Sequence, residues 1–166
     1  MTIESLKGAL VDELRDILSA EEQLTQAIPA MVKNARDQEL KKVLECHQAD
    51  TEQQVERVKQ SLKSLGSDPE PKTCQAMKGL IAEGEQLMSQ GPDNPIGDAL
   101  LIAAAQKVQH YEIASYGTAM AWANILGADD VVNNLKSSLE EEKTADQKLT
   151  ELAERLNKSA FQTANA

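Results

Sequence analysis

Apolar side chains recur at helical spacing along four long stretches of this chain, and each stripe is broken near its middle by side chains able to bind a metal ion. In the first stretch Ile3, Leu10, Ile17, Leu24 and Met31 lie seven apart, beside a second row of Leu14, Glu21 and Ile28. Glu21 therefore points inward, whereas Glu22 shares a row with Arg15 and Pro29 and faces water. In the second, Leu40, Leu44, His47, Thr51, Val58 and Leu65 mark the inner face, with Asp50 one turn and Gln54 two turns beyond His47. The third stripe reads Ile102, Ala105, Gln109, Glu112, Tyr116, Ala119, Ala123 and Leu126. The fourth reads Val132, Leu135, Leu139, Glu142, Asp146, Leu149, Ala153 and Leu156, leaving Glu140 and Glu141 on the outer face.

These stripes predict helices over 3–34, 38–65, 96–126 and 129–158, with a shorter one over 73–90, in a single domain spanning 1–166. Residues at one level of an antiparallel helical hairpin lie equally far from its turn. Midway between Glu21 and Asp50 falls Asn34-Ala35-Arg36-Asp37, rich in turn and cap residues. Midway between Glu112 and Glu142 falls Gly127, a helix-stop glycine followed by Ala128 and the N-cap candidate Asp129. Both pairs thus meet at mid-hairpin.

Gly66, Pro69, Pro71, Gly91, Pro92 and Pro95 bracket the region between the hairpins. A helix over 38–65 is roughly 42 Å long at about 1.5 Å per residue, and the intervening segment is long enough to return along it. The expectation is an all-α, ferritin-like four-helix bundle with a long crossover connection carrying an extra short helix. The alternative is an up-down-up-down bundle in which that segment is an insert.

Composition supports helix throughout: 166 residues, 41% apolar, with one Trp, two Tyr and one Phe. The formal charge of −10 excludes a nucleic-acid backbone as partner, because phosphate binding needs a basic face. No apolar run reaches membrane-spanning length; that from Leu100 to Ala105 is short and meets Gln106-Lys107. With no signal-peptide pattern at the amino terminus, the expected location is the cytoplasm. Cys46 and Cys74 form no CxxC pair and are expected to be buried thiols. Without a four-cysteine iron module, redox chemistry here would need an external reductant.

A carboxylate in a core position is unfavourable unless its charge is compensated, so interruptions in all four stripes call for a shared partner, and a pair of metal ions supplies one. Di-iron carboxylate bundles place a Glu on each of two helices and a Glu-x-x-His on each of the other two. Here His47-Gln48-Ala49-Asp50 carries the pair in reversed order, and Asp146 follows Glu142 by four in the place of a His. Glu21, His47, Asp50, Glu112, Glu142 and Asp146 make an oxygen-rich ligand set suited to two iron or manganese ions more than to copper or structural zinc. Tyr111, Tyr116, Trp122, Met31, Met77, Met88 and Met120 read as packing residues, and His110 as an interface or outer group.

The run Ala104-Ala105-Gln106-Lys107-Val108-Gln109-His110-Tyr111-Glu112-Ile113-Ala114-Ser115-Tyr116-Gly117 resembles the signature of the YciE/YciF family of bacterial stress proteins, its YciF members in particular. Ser19 to Leu24, His47 to Thr51, Lys72 to Met77, Gly79 to Glu83 and Leu139 to Asp146 extend the likeness over nearly the whole chain. The resemblance implies a ferritin-like, rubrerythrin-like bundle, commonly a homodimer, made under stress, with a dinuclear metal site and no established reaction. In the family the third helix usually reads Glu-His-Tyr-Glu, whereas this chain reads Gln109-His110-Tyr111-Glu112, so an amide replaces a carboxylate at a ligand position. Gln is a weaker donor to a hard cation, and metal affinity is expected to fall. Three functions follow: peroxide or dioxygen redox chemistry, iron binding or storage, and a structural helical dimer whose metal site is degenerate.

Overall fold

The computed structural model describes residues 3–164, which form five helices and no strand: α1 (Leu6–Asn34), α2 (Gln38–Ser64), α3 (Gln75–Gln90), α4 (Pro95–Ile125) and α5 (Asp129–Ala164). Local chemistry sets the boundaries. Ser5 Oγ accepts from Gly8 N, Asp37 from Glu39 N and Leu40 N, and Asn94 from Ile96 N ahead of Pro95, so α1, α2 and α4 start on side-chain caps. Cys74 caps α3 through its sulfur, which accepts from Met77 N. Gly66 and Gly127 end α2 and α4 in the left-handed region, at φ 74° and 68°, where a Cβ would be strained.

Several boundary expectations change. Because Ser5 is the cap, Ile3 lies outside α1 and is 55% exposed rather than part of the stripe. Leu126 caps α4 and is exposed, and α3 starts at Gln75, after its cap. At the other end α5 continues past 158 to Ala164. Its inward row begins at Val131, not Val132, since Val131, Leu135, Ser138 and Glu142 are spaced to stay on one side of the helix. Cys46 is exposed because it sits about 100° round α2 from the inward His47, whereas Cys74 is buried.

Two apolar clusters define the direction of each helix. At one end Leu10, Leu14, Val58, Leu62, Ala119, Ala123 and Leu135 pack together; at the other Met31, Leu40, Leu44, Leu101, Ile102 and Leu149 do. The start of α1 therefore meets the ends of α2 and α4 and the start of α5. It follows that α2 and α4 run the same way, which requires the connection between them to travel the length of the bundle. In the ring of helices α2 packs against α1 and α5, and α4 packs against α1 and α5, leaving α2 and α4 on a diagonal. This is ferritin-like connectivity, and it excludes the up-down-up-down alternative. The crossover helix α3 lies over α1 and α4, with Met77 and Cys74 packed on Ala20, Leu24, Ile28 and Val108. None of the helices among the described residues is long and apolar enough to cross a membrane.

Asp98 fastens the crossover to the first hairpin. Its carboxylate is buried and accepts from Arg36 N at 2.8 Å and Asp37 N at 3.1 Å, holding the α1–α2 turn against the start of α4. Asp98→Ala leaves two backbone donors without these charge-assisted bonds and is expected to cost about 2 kcal/mol. Urea unfolding followed by circular dichroism measures it; an unchanged midpoint would show that the turn is held by its neighbours instead.

Candidate metal centre

Between the two apolar clusters lies a polar layer to which α1 contributes Glu21, α2 His47 and Gln54, α4 Gln109 and Glu112, and α5 Glu142, all buried. Helical spacing explains their convergence, since each replaces an apolar residue on a stripe that already faces the axis. His47 Nε2 lies 3.5 Å from Glu112 Oε2 and 3.5 Å from Glu142 Oε2. One potential ligand atom from each of these three residues falls within 4.8 Å of the other two. Glu21 neighbours Glu112, and its Oε1 accepts the Tyr116 hydroxyl proton at 2.5 Å.

The hydrogen bonds are unevenly shared. Glu142 takes Gln54 Nε2 at 2.7 Å on one oxygen and Gln109 Nε2 at 3.2 Å on the other. Gln109 Nε2 also meets both ring nitrogens of His47, at 3.2 and 3.1 Å, so it cannot lie along both lone-pair directions. By contrast both oxygens of Glu112, Oε2 of Glu21 and Oε1 of Gln109 are buried without a donor. Buried carboxylate oxygens are rarely left in this condition, and a cation is the partner that would satisfy several of them together. Three carboxylates and one imidazole are hard and borderline donors, a set that fits iron or manganese.

The charges of the layer are coupled. Burial pushes the Glu21 carboxyl well above its usual range, and the neighbouring Glu112 and Glu142 charges push it further. Glu112 is raised well above its usual range by burial and then by Glu142, and a proton on Glu112 turns its contact with Glu142 into a hydrogen bond. Burial acts the same way on Glu142, but the hydrogen bond and charge of His47 outweigh it and hold this carboxyl low. For His47 burial favours the neutral ring, yet Glu142 outweighs it and the imidazole is raised. Without metal, these shifts favour charge on His47 and Glu142 and retention of protons on Glu21 and Glu112.

The remaining sequence-predicted positions stand apart. Asp50 is half-buried on the outer side of His47, lining a cleft between α2 and α5. Asp146 is turned toward α4, where it accepts from Gln106 Nε2 at 3.2 Å and lies 3.3 Å from the exposed His110 Nε2. Glu141, expected on the outer face, instead sits half-buried at the α2–α5 seam, gripped by Arg57 at 2.6 and 2.8 Å. Tyr116 and Gln54 orient carboxylates of the layer and are more than packing residues. Tyr116 follows Glu112 by one helical turn and Gln54 follows His47 by two, which is the spacing by which both could have been found. Tyr111 is likewise bonded, donating to Asp16 at 2.8 Å and lying 3.0 Å from the Cys74 sulfur.

Comparison with known proteins agrees with this architecture. A family model described as a domain of unknown function, DUF892, matches residues 5–162. The Escherichia coli (strain K12) protein YciF is 40% identical over 162 residues, covering 96% of this chain and 98% of YciF. The crystal structure of that stress protein superposes with a TM-score of 0.89 at 38% identity, covering 93% of this chain and 98% of the other. YcfI from Rhodopseudomonas palustris gives 0.85 at 42% identity, covering 89% and 94%. Ferritin-like, diiron-carboxylate proteins from Bacillus anthracis give 0.69 at 17% identity, covering 90% and 99%, a likeness of fold alone.

Proposed function

The chain belongs to the family described as a domain of unknown function, DUF892, and on that footing we propose that it is a stress protein that holds two iron or manganese ions in its buried polar layer for peroxide or dioxygen chemistry. The observation that carries this reading is the set of buried acid oxygens without donors around His47. In it, His47, Glu112 and Glu142 would hold one ion, and Glu112, Glu21 and the amide oxygen of Gln109 would be the donors for the second. Asp50 and Asp146 stand outside both ligand sets. Two redox-active ions held there would supply two electrons, one each, for reductive O–O cleavage, with an external reductant as the electron source. The protein's own part is positional. Tyr116 fixes Glu21, Gln54 fixes Glu142, and the apolar clusters above and below keep bulk water from the layer. The YciF description as a stress protein supports the setting, and a homodimer in the cytoplasm is part of the proposal.

Purification without chelators, metal analysis and calorimetric titration with Mn²⁺ and anaerobic Fe²⁺ test the reading, together with hydrogen peroxide loss by the iron-loaded protein. Two bound ions and accelerated peroxide loss are expected. Absence of any binding would remove the metal centre, and binding without peroxide loss would remove the redox step. Gln109→Glu restores the carboxylate and is expected to tighten the second ion about tenfold through added ligand charge. Unchanged affinity and stoichiometry would show that position 109 is not a ligand.

A second reading rests on Gln109 itself. Its amide nitrogen donates to Glu142 and contacts His47, which suits a metal-free layer held by hydrogen bonds and protonated acids. On that reading the protein is a structural helical dimer or a weak iron binder, and native preparations contain no stoichiometric metal.

A further inference from the structure

A cation destined for the polar layer needs a path through the ring of helices, and the four walls differ. On the α1–α4 side the crossover helix α3 closes the surface, leaving a cavity of about 30 Å³ among Leu24, Met31, Ile81, Leu101 and Val108. Apart from the exposed Glu85, that lining is apolar and cannot replace an ion's water shell. Between α4 and α5, Gln106 spans the groove to Asp146 and Thr150. Between α1 and α2, Gln48 reaches across to Thr25 O.

The α2–α5 wall is bridged by Arg57 and Gln54 to Glu141 but is open beside them. A cleft of about 250 Å³ indents it, lined by Cys46, His47, Asp50, Glu141, Thr144 and Lys148 among others. His47 belongs to both the cleft and the layer: it lines the cleft, is 4% exposed, and has its Nε2 3.5 Å from Glu112 and from Glu142. Behind it stand the Glu112 oxygens without donors. Of the acids on the cleft wall, Glu141 is paired with Arg57 and Glu140 with Lys143. Asp50 has no hydrogen bond or ion pair among the described residues, so its carboxylate is available to an incoming cation.

We propose that the α2–α5 cleft is the ingress route for divalent cations, with Asp50 as a transit carboxylate that passes the ion to His47. The inference rests on the metal-binding reading and adds to it a path and an order of contact. A transit group changes how fast an ion arrives, and changes arrival and departure equally, so the equilibrium affinity stays where it was.

Stopped-flow uptake of Co²⁺, read by its visible absorption, tests this beside an equilibrium titration of the same proteins. Asp50→Asn removes the charge almost isosterically, Thr144→Trp narrows the cleft from an exposed position, and Glu85→Gln on α3 is the control for general surface charge. Asp50→Asn and Thr144→Trp are expected to slow association about tenfold, with Kd within about twofold of the parent, while Glu85→Gln changes neither. Unaltered rates in both cleft variants overturn the route. If Kd weakens as much as the rate falls in Asp50→Asn, Asp50 is a resident ligand and the transit role is overturned. Should Thr144→Trp fail to fold by circular dichroism, Asp50→Asn decides alone. Failure of the parent protein to bind Co²⁺ at equilibrium is a different outcome, which overturns the metal reading and the route with it.

Discussion

Glu142→Ala is expected to abolish tight binding of divalent ions and to destabilise the metal-free protein by about 3–5 kcal/mol, as the removal of one member of a buried ion pair does. Glu142 is fully buried and is the acceptor for Gln54 and Gln109 and the counter-charge of His47, so its loss strands two amides and an imidazolium at once. Glu112→Gln tests the same layer with the opposite sign. Neither Glu112 oxygen has a donor, and a neutral amide of the same shape removes a buried acid while bringing two donors to the neighbouring carboxylates. The metal-free variant is expected to be more stable than the parent by about 1–3 kcal/mol, yet to have lost the ion held by His47, Glu112 and Glu142. Chemical denaturation and calorimetric titration of both variants measure the contrast. If Glu112→Gln destabilised the metal-free protein, Glu112 would be serving the fold and not a ligand, and the metal centre would lose its best support.

The pH dependence of stability should reverse when metal binds. In the metal-free protein Glu21 and Glu112 are raised above their ordinary value of 4.5, and His47 above 6.5. Above pH 4.5 the folded state therefore holds more protons than the unfolded chain, and stability falls as pH rises through the raised values. The stabilising contribution of Glu142, whose carboxyl is lowered, is present above 4.5 and is lost only on further acidification. The melting temperature of the metal-free protein is thus expected to rise as pH is brought from about 8 to about 5.5. With metal the sign changes, because ligands must be deprotonated to bind. At a free-ion concentration of about 100 times Kd the ion adds about 2.7 kcal/mol, and acid removes it. Thermal melts across this range, with and without Mn²⁺, give the two slopes. A net charge of −10 also relaxes on acidification, so the Glu112→Gln protein is the control. An equal metal-free slope in that variant would show that Glu112 contributes nothing to it.

How much of this was legible in the sequence follows from what each feature depends on. The inward direction of Glu21, His47, Gln109, Glu112 and Glu142 needed only the 3.6-residue period, and all five are buried. The turns at Asp37 and Gly127 were readable because caps and left-handed glycines act over a few residues. Asp50 and Asp146 were less legible, because each lies at the edge of its stripe, where a rotation of some 40° decides between axis and groove. Glu141 was misplaced for the same reason: it is one step from Glu142, but the approach of α2 brings Arg57 to it.

By itself, then, the chain's pattern determined helices, their inward faces and the level at which polar groups interrupt them, since these depend on spacing and local capping. Which helices are neighbours was decided only in three dimensions. The parallel course of α2 and α4, the cover of α3 over one wall and the cleft left open on another depend on how long elements pack against each other. So do the pairing of Tyr116 with Glu21 and of Gln54 with Glu142, and the absence of any donor for Glu112 among the described residues. Periodicity records which way a side chain points, while its partner belongs to a helix many residues away and is fixed only when the bundle closes.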